Sequence, residues 1–254
     1  MTLKPLFLHN LRRRTCDGFA IGYNLIFPII MIVLLGFVCR SFFRGPEINS
    51  FQYYSIVILP FCSSLSIITA AYAGKDDAYA NTATRILIAP TTPVHIVLSK
   101  ILSETLVFSV CSILVLVISS LILSIGNFLS ILLVAILHIV LSFTIAAIGT
   151  YIGLSMKNFL RIKNIINIPI AVFALLGGSF FRFGSEIPLL NFLIRVSPFT
   201  WINRSIFLCI YDNRFSIIYL TIILFAIGLA FTYFAIHFFK KEEYPNGDLP
   251  DYKN

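Results

Sequence analysis

Six long, almost uncharged stretches restrict the fold of this chain more than any other feature of its sequence. A helix needs about 20 mostly apolar residues to cross the hydrocarbon core of a bilayer. Six stretches approach or exceed that length, at residues 19–39, 51–73, 98–125, 128–156, 164–181 and 215–239. Because 58% of the residues are hydrophobic and only 12% are charged, a soluble fold would lack the charge to cover its surface. The sequence therefore predicts an all-α membrane protein with six transmembrane helices.

The positively charged residues between these stretches predict the orientation of the chain in the membrane. Thirteen Lys and Arg residues fall on the side that holds both termini, and six fall on the other side. Loops rich in Lys and Arg stay in the cytoplasm, so both termini of this multi-pass plasma membrane protein are predicted to be cytoplasmic. The first stretch is too long for a signal peptide and no small-residue cleavage motif follows it, so we interpret it as an uncleaved span.

Three segments outside the spans have distinct compositions. Residues 1–15 place apolar side chains at helical spacing next to three consecutive arginines, which predicts a helix lying in the membrane interface. Residues 74–97 are the most polar internal segment and are predicted to be cytoplasmic. Residues 182–214 are apolar but broken by prolines, which is typical of short helices that re-enter the membrane from the outer side. All three belong to a single transmembrane domain, residues 1–254.

Several kinds of chemistry lack the residues that they need. The five cysteines have no paired spacing that would indicate a disulfide framework or a zinc site. The positive charge lies between apolar stretches rather than in one basic patch, so nucleic acid is not an expected partner. The sequence contains no Gly-x-x-x-x-Gly-Lys-Ser/Thr motif, so this chain is not expected to hydrolyse ATP. No cofactor or metal is expected to bind it directly.

The few ionisable residues inside the predicted spans are weak candidates for catalysis or transport chemistry. His138 lies near the middle of the fourth span, where a structural role is favoured over transport chemistry. Glu104 is expected to pair with Lys100 one turn earlier and to reach the interface, with Arg85 as a less favoured partner. An intramembrane hydrolase would need Ser179 beside His138, but the two lie at different predicted depths. Spans poor in carboxylates also argue against an ion-coupled secondary transporter.

Two pairs of glycines match the small-xxx-small pattern of closely packed membrane helices. One pair is Gly18 and Gly22, and the other is Gly149 and Gly153. Both are interpreted as packing sites within the chain rather than as dimer contacts.

The order of several motifs resembles one family of membrane proteins. The polar segment after the second span ends in Arg-Ile-Leu-Ile-Ala-Pro at 85–90. The fifth span closes with Leu-Gly-Gly-Ser-Phe-Phe at 176–181, followed by Ile-Pro at 187–188 and Ser-Pro-Phe-Thr at 197–200. With six spans in about 250 residues, the chain resembles the permease subunit of type-2 ABC exporters over nearly its whole length.

This resemblance implies a site that couples the permease to a separate ATPase subunit. The segment 75–93 would match the coupling region, with Asp76 and Asp77 in the place where the family often has glutamates and an unusually neutral run after them. The residues implied to meet the ATPase are Asp76, Asp77, Arg85, Ile86 and Leu87. ATP and Mg²⁺ would bind through that partner, and residues 1–15 would be the connecting helix.

The resemblance also implies a transport pathway between two permease chains, identical or related, that face each other. Its lining would come from the second and fifth spans: Tyr53, Tyr54, Phe61, Ser63, Ser66, Thr69, Asn164 and Asn167. Hydrogen bonds from Ser and Thr to their own helix explain these hydroxyls equally well. The expected function is outward transport of a hydrophobic or amphipathic substrate, such as a drug-like compound or antimicrobial peptide. Export of a polysaccharide or lipid-linked glycan is the alternative, and ion-coupled secondary transport comes after it.

Overall fold

The structure is a computed structural model that describes residues 3–43, 48–156, 159–181 and 188–245. Every regular element in these ranges is a helix, which confirms the all-α prediction. Their arrangement explains why polar residues from distant parts of the sequence meet at one end of the bundle.

The first span follows a separate N-terminal helix. Helix α1 (Leu3–Thr15) packs against the third span, with Leu6 and Arg14 buried. Asp17 then starts the first span, because its side chain accepts hydrogen bonds from two backbone N–H groups of the next turn. The span is continuous over Gly18–Val38 and consists of α2 (Gly18–Ile21), a π-helical turn (Gly22–Ile26) and α3 (Phe27–Val38).

The second span is longer than its apolar stretch. Helices α4 (Ser50–Leu65) and α5 (Ile67–Tyr79) are separated only by Ser66, and with it they form a segment of 30 residues. The sequence predicted that this span ends at Ala73, since charged residues follow it. The helix instead continues through them, and Asp76 and Asp77 are paired inside the protein. The short helix α6 (Ala83–Ile88) comes next.

The third and fourth spans form a helical hairpin, in agreement with the tight turn that Gly126 and Asn127 predict between them. Helix α7 (Pro93–Leu123) and helix α8 (Phe128–Ser155) pack against each other. Between them, Ser124 and Gly126 adopt positive φ angles of 51° and 67°. A left-handed residue at the end of a helix is a common way to reverse the chain in so few residues.

The remaining helices leave the six-span count unconfirmed. They are α9 (Phe159–Leu176), α10 (Pro188–Val196), α11 (Pro198–Tyr211) and α12 (Ile217–His237). Among the described residues, five helical segments are long and apolar enough to cross a membrane. The apolar segment Ile165–Leu176 of α9 is short for a full crossing. The outer segment contains two short helices, but residues 182–187 lie outside the described ranges, and its re-entrant path stays a prediction.

Burial separates a central span from peripheral ones. In its most apolar window the second span is 89% buried, whereas the first and the last are 22% and 17% buried. The second span therefore forms the middle of the bundle. The first and last spans present apolar side chains outward, which suits contact with lipid.

Two glycines allow the second span to lie directly against the fourth. A Cβ atom on Gly153 would collide with the backbone of Ala71, and one on Gly149 would collide with Ala70. This pair confirms the packing prediction. For Gly18 and Gly22 the prediction is wrong, because no described atom lies within 4 Å of a Cβ built there.

Candidate functional site

Charged side chains from three helices meet at the end of the bundle where α1, α5 and α7 converge. Burying charged groups costs several kcal/mol each unless they are paired, so the sequence must supply matched partners here. We call this group the charge cluster: Arg13 and Arg14 from α1, Asp76 and Asp77 from α5, and Lys100 and Glu104 from α7.

Asp77 is the centre of the charge cluster and its side chain is 1% exposed. Lys100 Nζ lies 2.6 Å from Asp77 Oδ2, and Arg13 Nη1 lies 3.3 Å from Oδ1. The hydroxyl of Tyr244 donates a hydrogen bond to Oδ2 at 2.5 Å. The Thr82 hydroxyl, just before α6, donates to Oδ1 at 3.4 Å. One carboxylate therefore joins α1, α7, the start of α6 and the segment after α12.

Arg14 joins three carboxylates through its three guanidinium nitrogens. Its Nη1 lies 2.6 Å from Asp17, its Nη2 lies 2.7 Å from Asp76, and its Nε lies 2.5 Å from Glu104. The planar, multiply donating guanidinium suits this role better than an ammonium group would. The predicted pairing of Glu104 with Lys100 is wrong, because Lys100 turns toward Asp77 and α1 supplies the partner of Glu104.

One oxygen of the charge cluster has no protein partner among the described residues. Glu104 Oε2 is buried without a hydrogen bond. A cavity with room for about one water molecule lies beside it and is lined by Asn10, Ser103 and members of the charge cluster. A water bound there can donate to Oε2.

Tyr244 comes from the far end of the chain and was absent from the sequence-based site. Its ring lies 5.2 Å from the ring of Phe239, and Lys100 Nζ lies 5.9 Å from the ring centroid. Burial and the neighbouring Asp77 carboxylate raise the pKa of the Tyr244 hydroxyl above its ordinary value. The hydroxyl is therefore protonated at physiological pH and can act as the donor.

Helix α6 places the other predicted coupling residues on two faces. Ile86 and Leu87 are half-buried and pack against a small apolar core that includes Ala83. Arg85 faces solvent. Ile88, which the sequence-based site omitted, is 86% exposed. Contact of Asp76, Asp77, Arg85, Ile86 or Leu87 with an ATPase stays a prediction, and the structure gives both aspartates partners in their own chain.

The predicted aromatic lining residues of the second span are buried in the subunit. The hydroxyl of Tyr53 donates to the carbonyl of Gly178 at 2.6 Å, and that of Tyr54 donates to the carbonyl of Phe180 at 2.8 Å. The Phe61 ring packs edge-on against Phe180 with centroids 5.0 Å apart. These three side chains hold the chain that leaves α9 against the second span.

The predicted polar lining residues make hydrogen bonds within or between helices. The Ser63 hydroxyl lies 3.2 Å from that of Ser112, and the Ser66 hydroxyl donates to Asn24 at 2.5 Å. Thr69 donates to the carbonyl of Ser66 at 2.7 Å. A role of these residues in the pathway stays a prediction.

The two predicted asparagines belong to α9. Asn167 is half-buried, and its Oδ1 has no partner in the part of the chain that the structure describes. Asn164 lies in α9, but its side chain is outside the described part of the structure.

His138 and Ser179 do not form a catalytic pair. His138 is fully buried, and both ring nitrogens lack a hydrogen-bond partner among the described residues. It lines a small cavity with Ser55, Ser119 and Ser120. Ser179 instead lies 3.4 Å from the side-chain amide of Asn203. A nucleophile and its base must be within hydrogen-bond reach, so this geometry does not support hydrolysis.

A comparison with family models decides the class of protein. The model described as "ABC-2 type transporter" matches residues 5–211, from α1 to the end of α11. The chain belongs to the ABC-2 type transporter family. It is thus a permease component of an ABC transporter, and the ATPase is a separate subunit. A comparison with curated proteins gave no match. Helix α12 and Tyr244 lie beyond the matched residues.

Proposed function

We propose that this permease is an ATP-driven exporter that receives the motion of its ATPase through α6 and the charge cluster. The observation that supports this is Asp77, whose carboxylate binds groups from α1, α7, the start of α6 and the C-terminal segment. A displacement of α6 would therefore act on several spans together.

The second span is suited to transmit such a displacement. Asp77 lies in its last turns, and the same helical segment continues for 30 residues to the other end of the bundle. A helix of that length is about 45 Å long at about 1.5 Å per residue. The close contacts at Gly149 and Gly153 hold α5, the half of this span that contains Asp77, directly against α8. Movement at the Asp77 end would thus act on α5 and α8 together.

In the proposed orientation both termini and α6 are cytoplasmic. Six spans would result if α9 and the residues after it cross the membrane together, and α10 and α11 would then close the outer side. Two permease chains and two ATPase subunits would form the transporter, with ATP and Mg²⁺ bound by the ATPases. The excess of Lys and Arg on the side of α1 and α6 supports this orientation.

The exposed face of α9 supports a hydrophobic or amphipathic substrate. Four apolar side chains point outward from it, namely Ile165, Ile168, Val172 and Leu175. If this face borders the pathway between two chains, it offers apolar contact and few hydrogen-bonding groups. A polysaccharide would need many such groups, so we prefer a drug-like compound or a peptide.

An experiment with Ile88 tests ATPase docking. The permease is co-expressed with candidate ABC ATPase subunits from the same genome, and co-purification is measured. Ile88→Asp is expected to reduce the recovered ATPase by about tenfold or more, because it places a charge in an apolar contact. Ile88 is a better site than Leu87, since Leu87 also packs against the core of this chain.

Phe128→Asp is the matched control, because Phe128 is 84% exposed at the opposite end of α7 and α8. It should bind the ATPase like the wild type. Equal recovery with both variants would refute docking through α6.

Accumulation of ethidium in cells expressing both subunits tests the substrate class. Lower accumulation than in control cells would support an amphipathic substrate, and unchanged ethidium with loss of a surface glycan on deletion would favour the glycan alternative.

A further inference from the structure

The segment that follows the last span folds back onto the bundle. Residues 239–245 leave α12 in a series of turns, and Lys240 and Glu243 form an exposed ion pair at 3.3 Å within them. Tyr244 at the end of this segment is only 5% exposed. Segments near chain termini are commonly poorly ordered unless something holds them, so the burial of Tyr244 needs a cause.

Two sets of contacts hold Tyr244. Its hydroxyl donates to the same Asp77 oxygen that binds Lys100, which makes a charge-assisted hydrogen bond. Its ring belongs to the small apolar core that contains Ala83 and supports Ile86 and Leu87. Tyr244 therefore contacts the charge cluster and belongs to the same apolar core as the inner side of α6.

Tyr244 lies far in sequence from the six residues of the charge cluster. The matched family region ends at residue 211, before α12 begins. Asp77 already has two cations as partners, so the tyrosine is not needed to neutralise it. The Tyr244 hydroxyl instead orients the Asp77 carboxylate, because it binds Oδ2 while the Thr82 hydroxyl contacts Oδ1.

We propose that residues 239–245 form a C-terminal strap that positions α6, with Tyr244 as its positioning residue. The strap holds Asp77 and the start of α6 in the arrangement that the ATPase meets. The functional part of this inference rests on the proposed docking of an ATPase at α6. The positioning of α6 by Tyr244 does not depend on that docking.

Hydrogen exchange of the purified full-length permease tests the positioning. Tyr244→Phe keeps the ring in the apolar core and removes only the donor to Asp77. We expect amides of residues 77–88 to exchange about tenfold faster than in the wild type, because a hydrogen bond to a charged group is lost. Exchange in α7 and α8 should stay unchanged. Tyr219→Phe is the control, since Tyr219 lies on α12 with 75% exposure. Equal exchange of 77–88 in all three proteins would overturn the strap.

The second measurement is ATP hydrolysis by the permease–ATPase complex in liposomes. Tyr244→Phe should lower hydrolysis severalfold while the amount of bound ATPase stays that of the wild type. Faster exchange with unchanged hydrolysis would overturn the coupling role of the strap. If the wild-type permease binds no ATPase, the proposed function fails, and the exchange experiment still decides whether Tyr244 positions α6.

Discussion

At the scale of single residues, Asp77 shows how a membrane protein can keep charge at the end of a span. A buried carboxylate is tolerated only when cations and hydrogen-bond donors surround it. Lys100 and Arg13 supply the charge, and Tyr244 and Thr82 supply further donors. The family resemblance made both aspartates functional candidates, but it implied that they contact a partner protein. It could not show that α1 and the C-terminal segment bring their own donors.

The first prediction concerns the Asp77–Lys100 pair. Asp77→Asn leaves the Lys100 ammonium buried without its nearest carboxylate, which should cost about 3–5 kcal/mol of stability. Lys100→Met should cost less, because Arg13 remains beside the Asp77 carboxylate. The double variant should lose less than the sum of the two, since neither charge remains unpaired.

A thiol-reactive dye can measure this, because Cys39, Cys62, Cys111 and Cys209 are buried and become reactive on unfolding. The unfolding midpoint Tm of each variant is compared with that of the wild type. Additive losses in the double variant would contradict a direct interaction between the two residues.

At the scale of elements, the length of the apolar stretches predicted which helices exist better than it predicted where those helices end. The third and fourth spans and their tight turn were predicted well, because Gly126 and Asn127 interrupt an otherwise uniform apolar sequence. The second span runs to Tyr79 instead of Ala73, since Lys75, Asp76 and Asp77 remain helical. A hydropathy argument assigns such residues to a loop, because it has no information on tertiary partners. Short helices such as α6 give still weaker signals.

The second prediction concerns the contact of α5 with α8. Gly153→Ala would push a methyl group into the backbone of Ala71, and overpacking of this kind costs about 1–3 kcal/mol. Gly22→Ala should be neutral or slightly stabilising, because the space around Gly22 is open in the described structure and alanine is the better helix former. Thermal unfolding in the same detergent checks both. A stability of Gly153→Ala equal to that of Gly22→Ala would contradict the close approach.

At the scale of the whole molecule, the positions of the spans decide what the second span can do. The sequence and the family resemblance assigned it to the pathway because of its Ser, Thr and Tyr residues. In the structure these groups make hydrogen bonds within the subunit, and the span is the most buried of the five long enough to cross the membrane among the described residues. Which face of a polar helix is buried depends on all the other helices, so one sequence could not reveal it. That the chain is an all-α membrane protein, in contrast, follows from its composition and its long apolar stretches.

The last prediction tests the orientation with a cysteine that the chain already has. Cys16 is exposed between α1 and the first span, whereas the other four cysteines are buried. Asn127 is exposed at the turn between α7 and α8, and the 31 residues of α7 separate the two ends of the bundle by about 46 Å. With both termini in the cytoplasm, a membrane-impermeant maleimide should label Cys16 in inside-out vesicles and leave it unlabelled in intact cells. Asn127→Cys in a Cys16→Ser background should show the opposite pattern, and Cys16→Ser alone should remain unlabelled in both. Labelling of Cys16 in intact cells would reverse the orientation and would place α6 on the side away from any cytoplasmic ATPase.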